Sequence, residues 1–255
     1  MRRVTEQLRV LVAAALGRIV EPVLREGLDR AQVVLADSPA AVRRAVDGRL
    51  RYDVVLADLL WNDHRLERTF DGLDVLDKLH ELQRGAPAVI AVQGHGVERD
   101  LLEEAVDRPD VLGVVQKSCG PAELIEAVRT AAAGRSLPLS RFPAGVDGTR
   151  PSVHSHFTAG RRGATSARLA GAIASGRATD YRTLSEAARV PLNTANKLVG
   201  YLGPLMTDRR EHPPDLPLNC QAVFRWCGRH ELYILSWCRR HGHQDLAETP
   251  VAIPS

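Results

Sequence analysis

Two groups of residues in this 255-residue chain have the types and spacing for chemistry. The first is centred on Asp58, which closes the run Tyr52-Asp53-Val54-Val55-Leu56-Ala57-Asp58-Leu59-Leu60. Branched and long apolar residues without an alternating polar face suit a parallel strand covered on both sides. The carboxyl ends of such strands face the ligand crevice of an open sheet, so Asp58 is expected at its mouth. The second is a repeat: Trp226-Cys-Gly-Arg-His230 recurs as Trp237-Cys-Arg-Arg-His241, eleven residues later. Eleven residues are about three helical turns, so on one helix the copies share a face. Cys227, His230, Cys238 and His241, joined by Cys220 or His243, have the donor atoms for zinc. On a straight helix the two Cys/His pairs lie about 16 Å apart and reach one ion only across a break, for which Gly228 is the natural place. The usual zinc spacings are absent. The segment therefore reads as a helix whose Phe224, Leu232, Ile234, Leu235 and tryptophans pack on a core or a partner, and no metal or cofactor is expected.

The elements that must position Asp58 alternate along the first half. Strands are expected at Arg9–Ala15, Gln32–Ala36, Tyr52–Asp58, Ala88–Val92 and Val111–Val115. Between and after them, Val20/Val23/Leu24/Leu28, Ala41/Val42/Ala45/Val46, Leu73/Leu76/Leu79, Leu101/Leu102/Ala105/Val106 and Leu124/Ile125/Val128 recur at helical spacing. Gly120-Pro121 opens the last helix, proline being tolerated in a first turn. Five strands alternating with five helices predict an α/β fold, a doubly wound five-stranded parallel sheet.

This first module resembles the receiver domain of bacterial response regulators, the CheY-like family, which implies a flavodoxin-like fold. The residues that carry the resemblance are Arg9-Val-Leu-Val, Tyr52 to Asp58, Asp71-Gly72-Leu73, Val114-Val-Gln-Lys117 and Gly120 to Arg129. The resemblance implies that Asp58 stands at the phosphate-acceptor position and Lys117 at the lysine that contacts the phosphoryl group. It also places Ala14 and Ala15 where the family has the acidic pair that holds Mg²⁺. Magnesium needs hard oxygen ligands, and a methyl group supplies none. Without the metal, little neutralises charge on a transferred phosphoryl group. Gln93 replaces the family's switch hydroxyl and Val114 its switch aromatic. The loop from Leu59 to Phe70, with Trp61, Asp63, His64 and Glu67, is longer than usual and is placed to fold over the crevice. Two roles for Asp58 follow: residual phosphorylation, with Asp63 or Asp71 as substitute ligand, or a structural Asp58–Lys117 ion pair in an inactive pocket. The four departures favour the ion pair. Receivers of this family commonly pair through the region equivalent to Leu101–Ala133, which implies a homodimer.

Charge divides the chain. Residues 1–134 hold 18 Lys+Arg against 22 Asp+Glu, and residues 135–255 hold 16 against 9, so a net −4 is followed by a net +7. An acidic half before a basic one suggests a receiver-like domain at 1–134 and a second module with a polyanionic partner. Residues 135–164, rich in Pro, Gly, Ser and Arg, read as an irregular linker, with His154 and His156 solvated within it. Residues 165–255 read as a smaller all-α domain. Within it, Asp180 precedes Arg182-Thr-Leu-Ser-Glu-Ala-Ala188, a tight connection at Arg189-Val190-Pro191, and a helix from Leu192 to Leu202. This resembles a helix-turn-helix of the LuxR-like or a related type. Leu184, Ala188, Val190, Ala195 and Leu198 fall on buried positions, and Arg189 stands where the turn glycine is usual. Asn193, Thr194, Asn196, Lys197 and Tyr201 form the exposed face that would meet double-stranded DNA. The residues from Gln244 read as frayed.

No apolar run approaches the roughly 18 residues of a membrane span. Val10–Val20 is interrupted by Gly17 and Arg18 and lacks a cleavage site, so it does not read as a signal peptide. The four cysteines do not form a secreted disulfide framework. A cytoplasmic protein is expected, acting as a DNA-binding transcriptional regulator with an atypical receiver controlled by a small-molecule ligand or a sensor protein. The alternative is a signalling adaptor whose C-terminal helices bind a protein. No Gly-rich phosphate loop or nucleophile–base pair suggests an enzyme.

Overall fold

The computed structural model describes residues 7–48, 51–61, 63, 66, 68–138 and 150–247. The chain divides into two compact units, Met1–Val146 and Asp147–Ser255.

In the first unit the strands β1 (Arg9–Ala13), β2 (Gln32–Ala36), β3 (Val54–Asp58), β4 (Ala88–Val92) and β5 (Val111–Gln116) form one sheet in the order β2-β1-β3-β4-β5. Every neighbouring pair is parallel. The helices α1 (Gly17–Gly27), α2 (Pro39–Asp47), α3 (Gly72–Glu81), α4 (Arg99–Val106) and α5 (Pro121–Ala132) supply the connections. This is the doubly wound arrangement that the alternation of strands and helices implies. β3 and β4 are buried along their whole length, as parallel strands covered on both faces must be. Alternation along the strands assigns the faces. Val10, Val12, Ala14, Val54, Leu56, Val89, Ala91 and Val115 join Leu24 of α1 and Ala127, Val128 and Ala131 of α5 in one core. Successive side chains point to opposite faces, so Asp58, two residues after Leu56, belongs to this same α1/α5 side.

Leu137, expected in the linker, belongs to this core. Its N–H donates to the Leu112 carbonyl at 2.7 Å. Its side chain fills the notch over Gly113, where a Cβ would lie 1.6 Å from Leu137 Cδ1.

The second unit is helical: α6 (Val153–Phe157), α7 (Gly160–Ala174), α8 (Tyr181–Ala188), α9 (Leu192–Ala195), α10 (Leu198–Asp208), α11 (Cys220–Arg229), α12 (Glu231–Arg240) and α13 (Gln244–Ala247). It is built around α7, on which α6, α8, α10, α11, α12 and α13 all pack. Small residues make this possible. A Cβ on Gly163 would sit 2.5 Å from the His156 carbonyl oxygen, and one on Gly171 would sit 2.7 Å from Cys238 Sγ.

Three expectations change here. α6 and the start of α7 lie in the stretch read as irregular, because Val153 and Phe157 are buried and hold it to the helical core. His154 and His156 are thus on a helix, and His156 Nε2 lies 3.0 Å from the Tyr201 carbonyl oxygen. Burial pushes the His156 imidazole below its ordinary pKa. The C-terminal segment is two helices, broken at His230 rather than Gly228. Gln244–Ala247, expected to fray, is helical because Leu246 is buried. Phe142–Gly145 and residues 248–255 lie outside the described residues. Among the described residues no helix is long and apolar enough to cross a membrane.

Candidate functional site

Asp58 ends β3 and Lys117 follows β5, where its N–H still donates to the Val92 carbonyl at 2.7 Å. The two side chains meet: Lys117 Nζ is 3.0 Å from Asp58 Oδ2 and donates to the Leu60 carbonyl at 2.7 Å. Burial pushes the Asp58 carboxyl above its ordinary pKa. The charge and hydrogen bond of Lys117 draw it down, and the negative charge of Glu98 adds to the rise. Gly72 lets α3 begin against the strand end, since a Cβ there would lie 2.6 Å from the Asp58 carbonyl oxygen.

Glu98 is a site residue that motif spacing missed. Its buried carboxylate gathers the loop after β4, accepting from the N–H groups of Gln93 (3.0 Å), Gly94 (2.8 Å) and His95 (3.1 Å). The only signal in the sequence was an acid three residues after the loop residue it caps, His95. Gln93 is exposed at the crevice rim.

Asp71, one of the two acids open as a substitute ligand, is a helix-capping residue. Its Oδ1 caps α3, accepting from Leu73 N–H at 2.8 Å and Asp74 N–H at 3.3 Å, while Asp74 returns the capping box. Asp63 is half-buried in the loop after β3, where its carbonyl accepts from Leu66 N–H at 2.8 Å. Trp61 is buried edge-on against Phe70, with ring centroids 5.4 Å apart. His64 and Glu67 lie outside the described residues. Ala14 is buried and Ala15 half-buried beside the ion pair. These residues do not fit Mg²⁺: two methyls stand where oxygens are needed, Asp71 is a helix cap and Asp58 is paired with lysine. Beside the ion pair is a cleft of ≈ 400 Å³ on the α1/α5 side of the sheet, lined mainly by apolar side chains of the strands, α1 and α5, with Asp58 and Lys117 in its wall.

The helix-turn-helix segment begins at Asp180, whose Oδ1 accepts from Arg182 and Thr183 N–H, both at 2.8 Å. Leu184, Ala188, Ala195 and Leu198 are buried as their spacing implied, and Val190, expected with them, is half-buried. Arg189 takes the left-handed conformation of the absent turn glycine, φ 52 and ψ 47. Ser185 Oγ donates to the Val190 carbonyl at 2.6 Å and closes the turn. The helix expected from Leu192 to Leu202 is interrupted. Lys197 N–H bonds back to Thr194 O, a three-residue step that tightens the chain at Asn196-Lys197 before α10 begins. Asn193, Asn196 and Lys197 are exposed and Thr194 is half-buried. Tyr201 is half-buried under the Arg162 guanidinium, 5.1 Å from the ring centroid.

The Cys/His repeat serves packing. Cys227 and Cys238 are fully buried, and burial raises both thiols, that of Cys238 to about 12. His241 stacks on Trp237 at 4.0 Å, and His230 Nε2 lies 3.3 Å from Glu211. Among the described residues no group of three or more His, Cys, Asp or Glu is arranged to hold a metal ion.

No protein-family model matches the chain, and no curated protein does. Solved structures do. The chain is similar to the two-component response regulator RcsB in a DNA complex at 14% identity, over 88% of this chain and 99% of that one, with a TM-score of 0.48. It is similar to RcsB of Salmonella typhimurium at 14% identity, over 86% and 98%, with a TM-score of 0.45. It is also similar to a CheY-like receiver domain protein of Methanospirillum hungatei at 14% identity, over 51% and 96%, with a TM-score of 0.41.

Proposed function

We propose that this chain is a DNA-binding transcriptional regulator of the response-regulator kind whose receiver-like unit works without Mg²⁺-dependent phosphorylation, under control of a ligand or a protein contact, and as a homodimer. One observation carries the reading. The Asp58 carboxylate is held by Lys117 at 3.0 Å beside an apolar cleft lined by Ala14, so among the described residues the acceptor position has a cation but no group of metal ligands around it. The basic second half and the buried stripe Leu184/Ala188/Ala195/Leu198 support a helix-turn-helix facing a polyanion.

The interruption at Asn196-Lys197 favours a second reading, the adaptor. A one-turn helix from Leu192 to Ala195 gives the major groove little to read, whereas helical surfaces of this kind also suit a protein partner. The first test is incubation of the full chain with acetyl phosphate and Mg²⁺, followed by intact-mass analysis and DNA titration. The expected outcome is an unmodified mass and an unchanged DNA affinity. A stoichiometric phosphoryl adduct that alters DNA binding would refute phosphorylation-independence.

A further inference from the structure

The cleft beside Asp58 has the build of a small-molecule site, and its charges select the molecule. This inference rests on the proposal that the first unit answers to a ligand. At ≈ 400 Å³ the cleft falls in the size range of such sites, which are mostly apolar with a few fixed polar groups. Its lining takes in the ends of both β1 and β3, between which the strand order reverses and ligands of doubly wound sheets bind, and runs on across β4 and β5. Val12, Ala14, Val20 and Leu124 line its apolar body. Leu16 and Ile19 also line it while standing 53% and 68% exposed, apolar surface that water would otherwise cover.

The polar end is more selective. Asp58 and Lys117 are its only charged lining residues among those described. The lysine ammonium is engaged by Asp58 Oδ2 and by the Leu60 carbonyl. Among the described residues Lys117 alone reaches the Asp58 carboxylate, and it does so at Oδ2, which leaves Oδ1 as an acceptor. Glu98 adds a second negative charge close enough to raise the Asp58 carboxyl. Among the described residues Asp58 and Lys117 offset one another at the end of the cleft, and the charge of Glu98 tips the field at Asp58 toward negative. A carboxylate or phosphate head would meet the Asp58 carboxylate, in the field of Glu98, and a lysine already bound. A protonated amine would find an acceptor and a favourable field. We infer that the cleft takes a compact apolar molecule bearing a single protonated amine, with its ammonium on Asp58 and its body against Val12, Ala14, Val20 and Leu124.

The test is calorimetric titration of the full chain with three molecules of one shape: cyclohexylmethylamine, cyclohexylmethanol and cyclohexanecarboxylate. The amine should bind tightest, the alcohol about tenfold more weakly and the carboxylate not measurably, as loss of a charge-assisted hydrogen bond implies. Asp58→Asn should weaken the amine about tenfold or more and leave the alcohol nearly unchanged. Val20→Trp, which fills the cleft, should abolish binding of both, with thermal unfolding used to confirm that each variant folds. Carboxylate binding as tight as the amine, amine binding that survives both substitutions, or no binding of any probe to the parent chain would each overturn the inference. DNA titration with and without the amine separates this site from the control it is proposed to exert. Amine binding in the cleft with unchanged DNA affinity supports the site and refutes ligand control. An amine effect on DNA binding that persists in Val20→Trp overturns the site.

Discussion

At the scale of single residues the protein depends on two buried ionic groupings, and each can be tested alone. Lys117 shields a carboxylate that burial disfavours. Lys117→Met should therefore cost about 3 kcal/mol at neutral pH by leaving Asp58 unpaired, while Asp58→Asn/Lys117→Met together should cost less. Because the unpaired acid titrates above its unfolded value, stability of Lys117→Met should recover as pH falls through that raised pKa. Denaturant unfolding of the three variants across pH checks both points. Glu211 behaves oppositely. Burial pushes its carboxyl up, but hydrogen bonds from His230 and from Trp226 Nε1 at 2.7 Å, with the charge of buried Arg209 at 3.0 Å, hold it at about 2. A depressed carboxyl stabilises the fold above its unfolded value near 4.5 and loses that contribution as pH falls toward about 2. Glu211→Gln should thus cost roughly 3 kcal/mol at pH 7 and flatten the stability profile between those two values. Asp58 and Lys117 were legible in the sequence because each ends a recognisable apolar strand. Glu98 and Glu211 were not, because each works through a folded loop or a distant helix with no spacing to betray it.

At the scale of elements, the strands and helices of the first unit followed directly from period. Apolar runs such as Val54–Ala57 and Ala88–Val92 have one stable use in a sheet covered on both faces. The second unit was harder to read. α7 is rich in Ala and Gly, and such residues carry little periodic signal although they are what allows close helix contacts. The break at Asn196-Lys197 involves ordinary residues in a tightened turn, with neither proline nor glycine to announce it, and the break at His230 falls two residues after the glycine that hinted at it. The turn of the helix-turn-helix was legible through its departure: Arg189 must adopt φ 52 where glycine is usual. Arg189→Gly should stabilise the chain by about 0.5–1 kcal/mol, the relief of a left-handed side chain less the added freedom of the unfolded glycine. The Arg189–Asp245 contact, at 3.5 Å with the arginine 72% exposed, is too solvated to offset this. A Tm that falls on this substitution would show that the arginine side chain matters more than its backbone.

At the scale of the whole molecule, an acidic α/β unit with Asp58 and Lys117 paired beside an apolar cleft precedes a basic helical unit, and the proposal gives the first the sensing and the second the DNA. The central claim is that the second unit contacts a phosphate backbone through its exposed helix-turn-helix residues. Phosphate contacts release counterions, so log affinity should fall linearly with log salt. The most direct measurement is a titration of the full chain into duplex DNA over a range of salt concentrations, with Lys197→Ala and Asn196→Ala compared after circular dichroism shows that both fold. The expected result is a steep negative slope for the parent chain. Lys197→Ala should lose about one contact from that slope on every sequence, and Asn196→Ala should lose about 1–3 kcal/mol at one base position. Affinity that is absent or independent of salt, or unchanged in both variants, would contradict the claim and leave the adaptor as the better account of this protein.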